Sequence, residues 1–244
     1  MTILIAGGST GIGRAIAEHF GATGHDVLIN YHADDQAAEE CVATITARGG
    51  RAAACKADLG TPDGVVSLAA WVKNRTDRLD QMVYGSVTAL SGQLLSIDAE
   101  EMRRCLEVNP LGMIWLTREL LPILGEGSTL FYLSSQGALV VLPDYGPLGI
   151  SKALGEHILR YLAVELAPRG VRALTISAGT VDTPALRAVF PDSYKRRLRA
   201  AAERNLAGRP LAGADIARAI EQLSRPEFSM TTGERIRVDG GVTL

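Results

Sequence analysis

Hydrophobic positions along this chain alternate between short continuous runs and longer amphipathic segments. Runs such as TILIA, DVLIN and STLFYL are apolar throughout, which is typical of strands covered on both faces. The pattern predicts seven strands, at 2–6, 26–30, 51–56, 80–85, 128–134, 171–177 and 235–238. It predicts helices at 11–23, 35–48, 62–76, 99–123, 147–167, 192–205 and 214–224. This alternation indicates an α/β fold: a doubly wound, Rossmann-type parallel sheet of about seven strands with helices on both faces.

The organisation of the chain is simple, because no repeat, low-complexity tract or linker interrupts it. We therefore predict that residues 1–244 form a single dinucleotide-binding catalytic domain. One long irregular stretch, at about 178–191, follows the sixth strand. It would lie at the carboxyl edge of the sheet, where such folds bind ligands. Together with the next helix it predicts a substrate loop and helix at about 178–206.

Composition narrows the classes of function. Net charge is −2 and aromatic residues make up 5% of the chain, which argues against a nucleic-acid partner. The three cysteines form no C-x-x-C pair, so we expect no metal site and a reducing compartment. The first residues lack a basic n-region, and no apolar run is long enough to span a bilayer. We expect a cytoplasmic protein with no membrane partner.

Three glycines, Gly7, Gly11 and Gly13, lie between the first predicted strand and the first predicted helix. Glycine lets a pyrophosphate approach the helix N-terminus, where free N–H groups and the dipole favour anions. The alternative is that GGSTG is the nucleophile elbow of a hydrolase, with Ser9 as the nucleophile. Only one strand precedes Ser9, and none of the four histidines lies in a motif that identifies it as the base. Dinucleotide binding is the favoured interpretation.

The chain resembles the short-chain dehydrogenase/reductase family over essentially its whole length. The matching features are the glycine turn, Asp58 in KADLG, Asn109 in EVNPLG, Ser134-Ser135, Lys152, the SAGTVDTP loop and the terminal VDGG. The resemblance implies NAD(P)(H) redox chemistry, commonly in homotetramers. It also implies a set of cofactor-binding residues: Gly7, Ser9, Thr10, Gly11, Ile12, Gly13, Tyr31, His32, Asp58, Leu59, Gly85, Lys152, Val181 and Thr183.

The family's usual tyrosine, thirteen residues after the serine and four before the lysine, is replaced here by Leu148. Tyr145 lies seven residues before Lys152, a spacing similar to that of bacterial enoyl-acyl-carrier-protein reductases, most of all their third, NADPH-dependent class. Residues seven apart still share a helix face, but lie about 4.5 Å further along the axis than residues four apart. Conjugate reduction delivers hydride to Cβ, two bonds further from the oxygen that gains charge. A phenol set further back fits that reaction.

The resemblance suggests a role for each catalytic candidate. Tyr145 would donate a hydrogen bond to the thioester oxygen as an enolate develops. Lys152 would hold the nicotinamide ribose and lower the pKa of the phenol by its charge. Ser135 would line the pocket, and Asn109 would shape the helix that positions Lys152. Two alternatives stay open: Tyr145 as an aromatic packed on the sheet edge, and a purely structural Asn109.

The choice of cofactor depends on two departures from the family pattern. Tyr84 replaces a small amide after strand four, which predicts weaker cofactor affinity or a changed pose. Residues 30–33 (NYHA) contain no acid to bind a ribose 2′-hydroxyl. The arginines that clamp a 2′-phosphate in similar reductases are replaced by Thr10 and Ala33, which leaves Arg14 and His32 as nearby cations. These residues favour NADP(H) slightly over NAD(H).

The sequence therefore predicts an NAD(P)H-dependent oxidoreductase that reduces the C=C bond of an enoyl thioester or related enone. The small-molecule substrate would be free, on coenzyme A or on an acyl carrier protein. The basic segment 195–199 would bind an acidic carrier protein, and the alternative is that it is only the solvated face of a helix. We expect a homotetramer or homodimer. Two alternatives remain: a divergent carbonyl reductase or biosynthetic tailoring enzyme using Ser135 and Lys152, and a non-catalytic cofactor-binding or scaffold member.

Overall fold

The computed structural model describes all residues, 1–244. Its single sheet has seven parallel strands: β1 (Thr2–Ala6), β2 (Asp26–Tyr31), β3 (Arg51–Lys56), β4 (Gln81–Tyr84), β5 (Thr129–Ser135), β6 (Arg172–Ala178) and β7 (Arg235–Val238). The spatial order is β3-β2-β1-β4-β5-β6-β7. The predicted doubly wound parallel sheet is confirmed.

Nine helices accompany the sheet: α1 (Gly11–Ala22), α2 (Asp35–Ala47), α3 (Pro62–Lys73), α4 (Ala99–Leu106), α5 (Gly112–Leu120), α6 (Gly146–Leu166), α7 (Pro184–Val189), α8 (Tyr194–Arg204) and α9 (Gly213–Leu223). Helices α1, α2 and α9 cover one face of the sheet, and α3, α5 and α6 cover the other. None of them combines the length and apolar character that crossing a bilayer would need.

Alternation along each strand divides the core between these two faces. In β1, Ile3 and Ile5 pack towards α1 and α9, whereas Leu4 and Ala6 pack towards α3, α5 and α6. Both sets are fully buried, which explains why the strand is apolar at every position. The strand order reverses its direction between β1 and β4, so a crevice opens at their carboxyl ends.

The predicted helix at 99–123 is helical throughout, but it is not a uniform α-helix. Helix α4 ends at Leu106, a π-helical turn follows at Glu107–Leu111, and α5 starts at Gly112. Pro110 lies inside the turn and has no N–H to continue the α-helical ladder. The π turn places Asn109 towards the cavity side of the fold, where it contacts the loop after β4.

The predicted irregular stretch at 178–191 is also partly wrong, because it contains α7. The side chain of Thr183 accepts a hydrogen bond from the Leu186 amide at 3.1 Å, and Pro184 occupies the first helical position. A capping threonine followed by proline is a local start signal for a helix. This short helix forms one wall of the cavity described below.

Candidate active site

A cavity of about 430 Å³ opens at the carboxyl ends of the strands, on both sides of the β1–β4 switch. Every residue predicted to bind the cofactor lines it, as do Ser135 and Tyr145. Asn109 does not line the cavity and is fully buried behind it. All of the predicted site residues except Asn109 therefore line one cavity.

The glycine turn leaves no room for a side chain at two of its positions. A Cβ on Gly7 would lie 2.9 Å from the Ser86 amide nitrogen, and the φ of Gly7 is +76°. A Cβ on Gly13 would lie 2.1 Å from the Gly7 carbonyl oxygen. Gly11 also has a left-handed φ, +55°, and its backbone approaches Thr183. The turn is therefore held to its tight shape by the absence of side chains.

The N-terminus of α1 fits a bound pyrophosphate. No side chain caps this helix and its first turn carries no acid, so its N–H groups and dipole stay available. Ser9 and Thr10, just before the helix, line the same cavity. A phosphate-sized anion would meet backbone donors there, which is what a dinucleotide requires.

The hydrolase alternative lacks a base at Ser9. His19 is hydrogen-bonded to Glu221, His25 to Thr23 and His157 to Arg160. His32 lines the cavity but makes no hydrogen bond to Ser9. No group of His, Cys, Asp or Glu side chains is arranged to hold a metal ion.

Asp58, one of the cofactor-binding residues implied by the resemblance, is held by a residue that the sequence did not reveal. Arg104 donates to the Asp58 carboxylate at 2.5 Å, and the Gly60 amide donates at 2.9 Å. Burial acts to raise the pKa of Asp58, but these hydrogen bonds outweigh it and leave the pKa below its usual value. Arg104 also lines the cavity. No local motif distinguishes it from Arg103, because only the packing of α4 decides which arginine points inward.

The end of β2 carries fewer available cations than the sequence predicted. Arg14 donates to Glu18 at 2.8 Å, lies 3.7 Å from Glu40 and does not line the cavity. His32 does line it. Of the two cations predicted near a 2′-phosphate, only His32 therefore faces the cavity.

Tyr84 does not obstruct the cavity. Its ring is completely buried on the α5 side of the sheet, and its hydroxyl donates to the Val108 carbonyl at 2.6 Å. Gly112 makes room for this hydroxyl, since a Cβ there would lie 2.3 Å away. The predicted effect of Tyr84 on cofactor pose thus has no steric basis, and the neighbouring Gly85 presents only backbone to the cavity.

Ser135, Tyr145 and Lys152 meet at the end of β5 and the start of α6. The Ser135 and Tyr145 hydroxyls are 2.9 Å apart. Tyr145 is the N-cap residue of α6, and Lys152 lies two turns into the helix. The ammonium of Lys152 donates to the Leu133 carbonyl at 2.8 Å and lies 5.0 Å from the centre of the Tyr132 ring. The serine, the phenol and the ammonium all face the cavity.

The prediction that Lys152 lowers the pKa of Tyr145 is wrong. Burial raises the pKa of the Tyr145 phenol, and the hydrogen bond with Ser135 opposes this only in part. The Lys152 ammonium is turned towards the Leu133 carbonyl, so it does not dominate the environment of the phenol. A phenol with a raised pKa stays protonated at neutral pH and remains a hydrogen-bond donor.

Lys152 itself is perturbed in the direction that favours its neutral form. Burial lowers its pKa to about 8, although the charges of Cys105 and Glu156 oppose the shift. A lysine with such a pKa changes charge within the range in which enzymes work.

The loop before Tyr145 is held in an unusual conformation. Asp144 is the one residue other than glycine with a left-handed backbone, at φ 60°. Its carbonyl accepts from the Gly92 amide at 2.9 Å, and Gly92 forms a short parallel bridge with Tyr145. These contacts join the loops after β4 and β5 directly in front of the phenol.

Leu148, at the family's usual tyrosine position, contributes to an apolar patch. It is buried with Val189 and Phe190, and the Phe190 ring stacks on Tyr145 with centroids 5.8 Å apart. The sequence pointed to this region only as a substrate loop. The role of Val189 and Phe190 as cavity wall depends on α7, which brings them over Tyr145.

Asn109 connects three segments around the site. Its amide nitrogen donates to the Ser151 hydroxyl at 2.9 Å, and its amide oxygen accepts from the Thr88 amide at 2.6 Å. Ser151 directly precedes Lys152 in α6. The observed contacts are consistent with a residue that positions α6 and makes no contact with the cavity.

Comparisons with known proteins agree with this geometry. A family model described as enoyl-(acyl carrier protein) reductase matches residues 6–243. A 1-cyclohexenylcarbonyl-CoA reductase of Streptomyces collinus is 29% identical, over 99% of this chain and 86% of that protein. A 3β-hydroxysteroid dehydrogenase of Eggerthella lenta is 31% identical, over 100% of this chain and 94% of that protein. Among solved structures, a short-chain dehydrogenase of Burkholderia cenocepacia in complex with NADP is 28% identical and superposes with a TM-score of 0.88, over 99% of this chain and 97% of that one.

Proposed function

Because this chain belongs to the short-chain dehydrogenase/reductase family and is an NAD(P)-dependent oxidoreductase, we propose that it reduces the C=C bond of an α,β-unsaturated thioester or related enone. The observation that carries the proposal is the position of the Tyr145 hydroxyl. It sits at the mouth of α6, 2.9 Å from the Ser135 hydroxyl, while Leu148 fills the place nearer to Lys152 with an apolar side chain.

Each residue of the site would have its own role in this reduction. When bound, the reduced nicotinamide supplies a hydride. Tyr145 would donate its hydrogen bond to the thioester oxygen, where negative charge would develop once Cβ gained the hydride, and the enolate would then take a proton from water at Cα. Ser135 holds the phenol in position, and Lys152 donates to the ribose. Leu148, Val189 and Phe190 keep water from the apolar part of the substrate.

The test uses crotonyl-coenzyme A and the absorbance of the reduced nicotinamide. We expect turnover with this thioester and little with the matched saturated thioester, butyryl-coenzyme A. Turnover of simple ketones in place of the enoyl thioester would overturn the proposal.

A second candidate, carbonyl reduction, is favoured by the direct contact between Ser135 and Tyr145. A serine and a tyrosine that share one substrate oxygen also suit a ketone, and a relative that covers the whole chain is a hydroxysteroid dehydrogenase. If this candidate is right, a ketone is turned over, and Ser135→Ala and Tyr145→Phe each abolish that activity.

For the cofactor, we propose a slight preference for NADPH over NADH. The end of β2 has no acid at residues 30–33 to repel a 2′-phosphate, and His32 faces the cavity there. Asp34 follows and lines the cavity, but its carboxylate caps α2 by accepting a hydrogen bond from the Ala37 amide at 2.9 Å. Fluorescence titration with both cofactors gives the ratio of their dissociation constants, and His32→Ala is expected to reduce the preference.

We also propose that the substrate arrives on an acidic acyl carrier protein. Lys195, Arg196 and Arg199 are exposed on α8, and none of them forms an ion pair. The first residue of this helix, Tyr194, packs against Leu148, Val189 and Phe190, which line the cavity. Reversing these three charges to glutamate should raise the KM for a carrier-bound enoyl substrate and leave that for crotonyl-coenzyme A unchanged. Reversal of Arg225, an exposed arginine after α9 that likewise forms no ion pair, is the control.

We propose that the chain assembles as a homotetramer or homodimer. Trp115 on α5 and Tyr161 and Val164 on α6 are exposed apolar side chains on adjacent helices. Large exposed apolar side chains on neighbouring helices are typical of an interface between subunits. Sedimentation equilibrium measures the state directly, and Val164→Lys is expected to shift it towards smaller species.

A further inference from the structure

A buried ion pair lies beneath the end of β5, behind the site residues. Arg235 of β7 donates to the Glu156 carboxylate of α6 through Nε, with a distance of 3.0 Å to Oε1. The Glu156 side chain is 5% exposed and that of Arg235 is 17% exposed. A pair so removed from water is costly to bury and adds little to stability, so it calls for another explanation.

The contacts of this pair reach the residues of the proposed reaction. Arg235 Nη2 donates to the Ser135 carbonyl at 3.2 Å and to the Ser177 hydroxyl at 2.6 Å. The Ser134 hydroxyl donates to Glu156 Oε1 at 2.5 Å. Lys152 donates to the carbonyl two residues before Ser135, that of Leu133.

Three consecutive residues at the end of β5 are therefore each held from outside the strand. Leu133 is held by Lys152, Ser134 by Glu156 and Ser135 by Arg235. Glu156 lies one helical turn after Lys152 on α6, so both face β5. The arrangement fixes the strand end that presents the Ser135 hydroxyl to Tyr145.

We propose that Arg235 and Glu156 are positioning residues that set the Ser135 hydroxyl against the Tyr145 phenol. This inference rests on the proposed function for its effect on turnover, but the contact it explains exists independently of the substrate. Loss of the Arg235 contact frees the Ser135 carbonyl, and the seryl hydroxyl then leaves the phenol. A displacement of about 1 Å at a reacting group can lower the rate by about 100-fold.

The first experiment needs no substrate. The protein is labelled with ¹³Cζ-tyrosine, and the Tyr145 signal is assigned with Tyr145→Phe. Arg235→Gln should shift the Tyr145 signal in the same direction and by the same amount as Ser135→Ala. Arg237→Gln, an exposed residue on the same strand, should leave it unchanged. An unshifted Tyr145 signal in Arg235→Gln overturns the inference.

The second experiment is a double-mutant cycle on turnover, using whichever of crotonyl-coenzyme A or a ketone the protein reduces. Arg235→Gln should lower kcat by about 10- to 100-fold with an unchanged cofactor dissociation constant. In a Ser135→Ala background the same change should have no further effect. Additive losses would mean that Arg235 acts independently of Ser135 and would overturn the inference.

The double variant Glu156→Gln/Arg235→Gln, which removes both charges, distinguishes a positioning role of the pair from a purely structural one. Removing both charges should restore the thermal stability that either single change lowers. We expect kcat to stay low despite that recovery, and recovery of kcat together with stability would contradict positioning. If the protein reduces neither substrate, the proposed function fails, while the tyrosine signal still decides the inference.

Discussion

The two walls of the cavity are built by different means. At the β1–α1 turn the wall is formed by backbone atoms. Its shape requires that Gly7 and Gly13 have no Cβ atom. At the β5–α6 junction it is side chain, and its shape depends on contacts such as that between Ser135 and Tyr145. The backbone wall contains no titratable group between Gly7 and Gly13, whereas the side-chain wall contains a phenol and a buried ammonium.

Cofactor binding and catalysis should therefore be sensitive to different changes in the protein. Added volume should damage the backbone wall, because a Cβ there meets other backbone that cannot move away. Removal of a single oxygen or a change of pH should damage the side-chain wall. Each prediction below uses one such perturbation to break or sharpen the contrast, beginning with the largest effect.

Gly13→Val should have the largest effect. Its Cβ would overlap the Gly7 carbonyl oxygen, so we expect loss of NADPH binding by about 100-fold or more, since overpacking alone costs about 1–3 kcal/mol and the turn itself must open. Fluorescence titration measures the dissociation constant. Gly125→Ala is the control, because a Cβ there meets nothing. Unaltered binding by Gly13→Val would show that the turn is not the pyrophosphate site.

Tyr145→Phe should leave cofactor binding intact and lower kcat by about 10²- to 10³-fold, as expected when one donor to a developing oxyanion is lost. Steady-state kinetics with the enoyl thioester measure this change. Tyr161→Phe, an exposed phenol on the same helix, should have no effect. A matching loss in both variants would point to damage to α6 instead of to chemistry.

Stability and activity should both depend on pH through the titration of Lys152, which belongs to the side-chain wall. Its pKa is about 8 in the folded protein and 10.5 as the ordinary value, so the folded state loses the proton first. The destabilisation caused by burying the ammonium is fully present below pH 8, and stability rises by a few kcal/mol as pH increases towards 10.5. Activity should fall over the same rise in pH, because the ribose contact requires the charged form.

Chemical denaturation at several pH values tests this sign. Other buried groups oppose this trend: burial raises the pKa of Cys41 to about 11, so its titration lowers stability as pH rises. Subtracting the free energy of unfolding of Lys152→Met from that of the unmodified protein at each pH removes these contributions. Parallel stability curves for the two proteins would show that Lys152 is not buried as described.

Asp144→Val should have the smallest effect. A β-branched residue at φ 60° costs about 1–2 kcal/mol, and relief of that strain would move Tyr145 away from Ser135. We expect a lower melting temperature and a modest loss of kcat. Asp144→Asn, which tolerates the left-handed region, is the matched control. Equal melting temperatures for the two variants would mean that the loop relaxes freely.

Most of the fold and much of the site could be predicted from local patterns. The strands of β1 and β2 follow from unbroken apolar runs, and the glycine turn follows from spacing alone. Leu148 and Tyr145 were recognisable by counting from Ser135 and Lys152. The π turn was not predictable, because the helical periodicity of residues 99–123 continues through it and Pro110 alone does not specify where the helix resumes.

The sequence by itself determined the order of strands and helices, the tight turn at Gly7–Gly13 and the separation of Tyr145 from Lys152, since each depends on neighbours along the chain. Only the tertiary structure decided that Tyr84 turns away from the cavity and that Arg104 reaches Asp58. It also decided that Arg235 and Glu156 meet beneath Ser135. The physical reason is that periodicity fixes which face a residue occupies, but the partner it meets there comes from a distant segment that packing brings into contact.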